Sequence, residues 1–267
     1  MRGTVLRTLD SGLRTLCAVI LLAGSTGASG QAQTPSSAAL MVFAASDVGP
    51  AFSQIVPQFE QKTGADVTLV LGSTGMLAQQ IRNGAPADVF FAANESFITD
   101  LAAENLTLRQ TNTLYARGRI ATVTLKSAGL RINELKDLAD PRIRRIAIAN
   151  PQHAPYGLAA KQAMQAAGLW QTLEPKLVFG ENVQQAAQFV RSGSADAGLV
   201  ARSIADTSDL NWTLVDAGLH APLNQMAVVL VRTKQTAASI SFIEFVKGTQ
   251  GRLVMRQFGF LLPGESF

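Results

Sequence analysis

Short apolar runs alternate along this chain with segments of helical period, a pattern that predicts an α/β fold with mainly parallel sheets. Candidate strands are Leu40 to Ala44, Val67 to Leu71, Asp88 to Ala92, Ile120 to Leu125, Arg145 to Ala149, Lys176 to Phe179, Ala197 to Ala201 and Met226 to Arg232. Helical pattern fills the gaps. Val48, Phe52, Ile55, Val56 and Phe59 form one apolar stripe, spaced as on a helix that Gly64 can end. Pro57 interrupts the stripe, and an interior proline costs about 3 kcal/mol, so a kink or an early helix end is expected there. Val183, Ala186, Ala187 and Val190 repeat the pattern and stop at Ser192-Gly193. A last amphipathic helix is expected as one piece from Ile240 to Met255.

The first residues change the picture. Arg2, Arg7 and Arg14 precede an apolar run from Leu16 to Gly24, followed by small and polar residues through Ala28-Ser29-Gly30 and Gln31-Ala32. This is the layout of an export signal, placed at residues 1–32 and expected to be removed. The run is too short to span a bilayer, and no later stretch reaches the roughly 20 apolar residues a spanning helix needs. A soluble protein secreted to the periplasm is expected. Cys17, the only cysteine, lies inside the signal, so the mature chain offers neither a disulfide nor a thiol nucleophile.

Loss of the signal lowers the formal charge from +4 to +2, with 20 basic and 18 acidic residues left. The densest basic cluster, Arg142, Arg144 and Arg145, has no interleaved aromatics and reads as a solvated loop edge rather than a nucleic-acid face.

Four places share one local grammar, in which a strand ends, a turn of small and polar residues follows, and a helix begins. They are Ala44-Ala45-Ser46-Asp47, Gly72-Ser73-Thr74-Gly75, Asn150 through Gly157, and Gly180-Glu181-Asn182-Val183. In α/β sheets ligands bind beyond the carboxyl ends of the strands, and helix starts offer unpaired N–H groups with a partial positive charge. None of the four contains Lys or Arg, which a phosphate-transfer site would usually bring to its anion. Neutral donors suit a small, fully ionised anion, and the hydroxyls of Ser46, Ser73 and Thr74 can donate to one. Each turn taken singly also reads as a helix cap. Asp47 reads as a first-turn acid that favours its own helix dipole, in preference to an acceptor for a protonated anion. Asp88 reads as an anchor for a turn or strand.

Other chemistries find little support. His153 and His220 are the only histidines and sit in unrelated segments, whereas a metal site needs three or four ligands; no metal is expected. Ser46 and His153 could be imagined in a hydrolytic triad, but no Gly-x-Ser-x-Gly elbow frames the serine. Trp170 and Trp212 read as core or hinge aromatics.

The residues resemble the molybdate-binding proteins of ABC transporters over nearly the whole mature chain. Val42-Phe43-Ala44-Ala45-Ser46 is similar to the family's opening strand and first ligand serine, and Gly72 through Ile81 to its second oxyanion turn. Gly84-Ala85-Pro86-Ala87-Asp88-Val89-Phe90 is similar to its most recognisable string. His153-Ala154-Pro155-Tyr156-Gly157 and Glu181-Asn182-Val183 match the third and fourth turns, and Phe245 through Phe260 the closing helix and tail.

The resemblance implies a two-lobed periplasmic-binding-protein type II fold with two crossing segments. Lobe 1 is expected at residues 38–115 plus 229–267 and lobe 2 at 116–228, with crossings near Tyr115-Ala116 and Ala227-Val228. It also implies that Ser46 and Thr74 donate hydroxyls to molybdate or tungstate, while Tyr156 and Val183 donate backbone N–H groups. Ala201 stands where some members carry a tyrosine whose hydroxyl reaches the anion. The implied function is capture by a monomer and delivery to a membrane permease, with no cofactor and no catalysis. The alternatives are a binder of another tetrahedral oxyanion, sulfate ahead of phosphate, an enzyme on the same fold, and the sensory domain of a transcription regulator.

Overall fold

The computed structural model describes residues 39–265; the expected signal peptide lies outside the described residues. In chain order the elements are β1 (Leu40–Ala45), α1 (Gly49–Thr63), β2 (Val67–Gly72), α2 (Thr74–Arg82), β3 (Val89–Ala92), α3 (Glu95–Ala103), β4 (Thr113–Gly118), β5 (Ile120–Leu125) and β6 (Ile146–Ala149). Then come α4 (Pro155–Ala166), α5 (Trp170–Leu173), β7 (Leu177–Gly180), α6 (Val183–Arg191), β8 (Ala197–Ala201), α7 (Arg202–Ala205), β9 (Leu210–Leu214), β10 (Leu223–Val229), α8 (Thr236–Lys247) and α9 (Thr249–Gln257).

The strands make two sheets, one per lobe, in the orders β2-β1-β3-β10-β4 and β7-β6-β8-β5-β9. The sheets share one plan. Three parallel strands come first (β2, β1, β3 and β7, β6, β8), then an antiparallel strand, then an edge strand antiparallel to that one. In each sheet the antiparallel strand is the one on which the chain arrives from the other lobe: β5 after β4, and β10 after β9. β3, β6 and β8 are buried along their whole length, as expected for strands covered on both faces.

The crossings expected at Tyr115-Ala116 and Ala227-Val228 fall inside β4 and β10, both strands of the first sheet. Those apolar runs continue because they are buried in the sheet. The chain changes sheet instead at Arg119 and between Leu214 and Leu223. At the first change, Arg119 Nε and Nη2 both donate to the Gly259 carbonyl, at 3.1 and 2.9 Å.

The first lobe packs around edge-to-face rings: Phe52 on Phe91 (5.0 Å between centroids), Phe59 on Phe242 (5.1 Å) and Phe91 on Phe242 (5.7 Å). Such pairs each add about 0.5–1.5 kcal/mol beyond area burial. The second lobe's core is aliphatic, with Ile146, Ile148, Leu138, Ala160 and Val190 fully buried.

Helix α1 does not end at Pro57 but runs on to Thr63, and Gly64 closes it in the left-handed region (φ 72°). Pro57 and Ser53 both face solvent, so the carbonyl left without its i+4 donor can be hydrated. The expected last helix is two, α8 and α9, divided at Gly248, whose backbone is extended (ψ 176°). Gly251 then passes so close to the Val246 carbonyl that a Cβ there would collide. No helix among the described residues is long and apolar enough to cross a membrane.

Candidate functional site

All four turns lie at carboxyl ends of parallel strands: β1 and β2 in the first lobe, β6 and β7 in the second. They meet around a small cavity, about 10 Å³, lined by Ser46, Asp47, Ser73, Thr74, Tyr156 and Val183, together with small residues such as Ala45 and Ala154. Ser46, Thr74, Tyr156 and Val183 are thus brought together on one surface. Neither Lys nor Arg is among the lining residues.

The local chemistry of each turn explains its place. Ser46 is buried in the short helical turn after β1, and its hydroxyl has no hydrogen-bond partner among the described residues. Thr74 is the first residue of α2. Its Oγ1 accepts from the Ala93 N–H at 3.1 Å, which leaves the hydroxyl proton to donate elsewhere. Pro155 and Tyr156 open α4, and Val183 opens α6 behind the cap Asn182, whose Oδ1 accepts from Gln184 N and Gln185 N at 3.0 Å. The first N–H groups of a helix have no partner within it, so α2, α4 and α6 point unpaired donors and three positive dipole ends at one spot.

Ser73 does otherwise. Its hydroxyl caps α2 by accepting from Met76 N at 3.4 Å and shares a 2.8 Å hydrogen bond with His153 Nδ1 in the other lobe. Beside it Gly75 N donates to the His153 carbonyl at 2.9 Å, an approach that only glycine allows, since a Cβ would lie 2.6 Å from that oxygen. The lobes are therefore closed on one another at the mouth of the cavity.

Asp47 sits in the first turn of the short helix after β1, as expected, but it also has partners that a dipole role does not require. It is fully buried, and its Oδ2 accepts from Tyr156 Oη and from Gln225 Nε2, both at 2.8 Å. Tyr115 Oη donates to Gln225 Oε1 at 3.0 Å, and Ser203 Oγ donates to the Asp47 carbonyl at 2.7 Å. Asp47 Oδ1 is buried without a hydrogen-bond partner among the described residues. Burial pushes the Asp47 carboxyl up to about 7, against the Tyr156 hydroxyl, the Gln225 amide and the backbone N–H groups of Asp47 and Val48, which favour the charged form. Burial, and then the Asp47 charge, raises the phenols of Tyr115 and Tyr156 well above their ordinary value. The motif search missed this cluster because Gln225 and Tyr115 sit in strands with no turn grammar around them.

The remaining expectations have plain places. Asp88 accepts from Met41 N at 2.8 Å and from the Thr233 hydroxyl, tying strand to loop. Arg142, Arg144 and Arg145 are exposed. Trp212 lies under the Arg202 guanidinium (4.0 Å) and Trp170 under the Lys161 ammonium (5.0 Å), both on the edge of the second core. Ala201 is buried at the end of β8 and is not among the residues lining the cavity. The Tyr156 hydroxyl does not replace the absent phenol, because it is committed to Asp47.

Residues 40–261 match the family of bacterial extracellular solute-binding proteins. The molybdate-binding protein ModA of Rhodobacter capsulatus is 33% identical over 205 residues, 76% of this chain and 80% of that protein. The solved periplasmic molybdate-binding protein of Azotobacter vinelandii superposes with a TM-score of 0.80 at 33% identity, covering 84% of this chain and 99% of that one. The sulfate-binding protein SubI of Mycobacterium tuberculosis shares the fold alone, with a TM-score of 0.71 at 16% identity over 85% of this chain and 87% of that one. By sequence and by structure, the chain belongs to the bacterial extracellular solute-binding proteins.

Proposed function

We propose that this protein captures molybdate, or tungstate of like size and charge, in the periplasm and delivers it to the permease of an ABC transporter. It performs no chemistry on the anion. The observation that carries this is the cavity wall, in which neutral hydroxyls and three helix N-termini converge with no basic side chain among them. The molybdate-binding relatives support the choice of anion.

Ser46 and Thr74 donate hydroxyls from the first lobe, while Tyr156 and Val183 donate backbone N–H groups from the second. These bonds go to oxygens, and no protein atom touches the metal. Because the donors are divided between lobes, binding favours the closed arrangement, and closure is the signal a permease can read. One chain holds the whole site, so a monomer suffices. Residues 1–32 serve as the export signal.

Titration calorimetry with molybdate, tungstate, sulfate and phosphate, at one pH and ionic strength, tests the proposal. Tight binding of the first two alone is the expected result. Silence with both, or preference for sulfate or phosphate, overturns it.

A further inference from the structure

We propose that oxyanion capture by this protein is linked to the uptake of one proton from solvent by Asp47. The inference rests on the anion site proposed above. Asp47 lines the cavity next to Ser46, and its carboxyl group joins three parts of the molecule: the turn after β1, α4 of the second lobe and β10. It is an acid placed where an anion is to be bound, in a region closed to water.

Among the described residues no cation answers it. Its direct partners, Tyr156 and Gln225, are neutral, as is Tyr115 behind them. Helices α1, α6 and α7 pack against its turn. The charges of α1, Glu60 and Lys62, lie in its last turn, at the far end. Arg191 of α6 is engaged with Asp209 at 3.6 Å, and Arg202 of α7 with Asp206 at 2.9 Å and the Trp212 ring. On the remaining elements, Lys161 of α4 lies over Trp170, Arg117 of β4 donates to Asn224 at 3.2 Å, and β10 bears no charge. His153 is held by Ser73 at the cavity mouth.

A dianion entering such a site meets a like charge in a medium that screens it poorly, which favours protonation of the carboxylate. The proton has a place to go. Asp47 Oδ2 already accepts from Tyr156 of the second lobe and from Gln225 of β10 and can keep both bonds, while Oδ1 has no hydrogen-bond partner among the described residues. On protonation Oδ1 becomes a donor, so the group that opposes the anion turns neutral without disturbing its bond to the second lobe. Anion and proton then enter together, and no other bond is made or broken. A carboxyl that already ionises at about 7 in the free protein is half-charged at neutral pH, so the linkage falls in the working range.

Calorimetry with molybdate between about pH 6 and about pH 9, repeated in buffers of different ionisation enthalpy, reads the protons taken up per anion directly and needs no variant. Uptake should approach one above neutrality, with affinity falling up to about tenfold per pH unit there. Asp47→Asn should abolish both the uptake and the pH dependence. Tight binding that is flat with pH and takes up no proton overturns the inference while leaving the ligand assignment standing. Uptake that persists in Asp47→Asn assigns the proton elsewhere and overturns it equally. Silence with molybdate and tungstate at every pH overturns the ligand assignment and this inference together.

Discussion

The two lobes share a strand order but furnish the cavity differently. On the function proposed above, the first brings side chains, the hydroxyls of Ser46 and Thr74, while the second brings backbone, the N–H groups of Tyr156 in α4 and Val183 in α6. Side-chain donors can be removed one at a time by substitution. Backbone donors are fixed by the helix that carries them, so the second lobe's contribution tolerates almost any residue at Tyr156 or Val183 as far as the donor itself is concerned. Asp47 ties the halves together alongside Ser73 and Gly75, since it belongs to the first lobe in sequence and to both in its hydrogen bonds.

The largest expected effect is on that bridge. The Asp47 carboxyl is raised from 3.8 to about 7 in the folded protein, so the folded state binds the proton more tightly than the unfolded chain. Its contribution to stability is therefore fully present below about pH 4 and lost as pH rises through 7, by up to about 4 kcal/mol. Urea unfolding of the ligand-free protein should show stability declining from about pH 4 to about pH 7 and level above that, and Asp47→Asn should flatten that slope. An unchanged slope in the variant would separate Asp47 from the hold between lobes.

Next comes the backbone side of the comparison. Proline is tolerated at the first position of a helix, and Asn182 ahead of Val183 is already extended (φ −146°, ψ 174°), as a residue before proline prefers. Val183→Pro thus deletes one donor and puts ring carbon in its place while α6 persists. Molybdate affinity should drop by more than about 100-fold, roughly 3 kcal/mol, with the ligand-free melting temperature little changed. Retained affinity would mean that the second lobe binds through other groups. Ser46→Ala removes one hydroxyl without adding bulk and should cost about 1.5–3 kcal/mol, ten- to a hundred-fold in Kd. Here a large loss of ligand-free stability would instead make the serine a structural cap.

The contrast between lobes also explains what could be read from the sequence. The four turns were legible because strand end, small residues and helix start are consecutive in the chain, and each carries its own composition. Strands β4 and β9 were not: Thr113–Gly118 and Leu210–Leu214 interrupt their apolar residues with Arg, Asn and Thr, so neither presents a continuous apolar run. Without β4 the first crossing could not be located. The burial and partners of Asp47 were hidden for a different reason. Its partners lie 109 and 178 positions away, and no local spacing reports a contact made only when the lobes fold together. The same distance in sequence hid the role of Ser73, whose cap on α2 is local but whose bond to His153 spans 80 positions.

The smallest effect is the finest test of how the first lobe works. Thr74 Oγ1 has two tasks, accepting from the buried Ala93 N–H and presenting its proton to the cavity. Thr74→Ser keeps the oxygen and both tasks, losing one buried methyl group worth about 0.8 kcal/mol of folding stability. Its molybdate affinity should stay within about threefold of the parent, or roughly 0.6 kcal/mol. Thr74→Val keeps the shape and loses the oxygen, leaving the Ala93 N–H buried without an acceptor at a cost of about 1–3 kcal/mol in stability alone. If serine binds as threonine does while valine loses both affinity and stability, the hydroxyl is the donor and the methyl only fills space. If serine is itself strongly impaired, the methyl is what sets the hydroxyl's direction toward the anion, and the first lobe relies on packing as much as on its choice of donors.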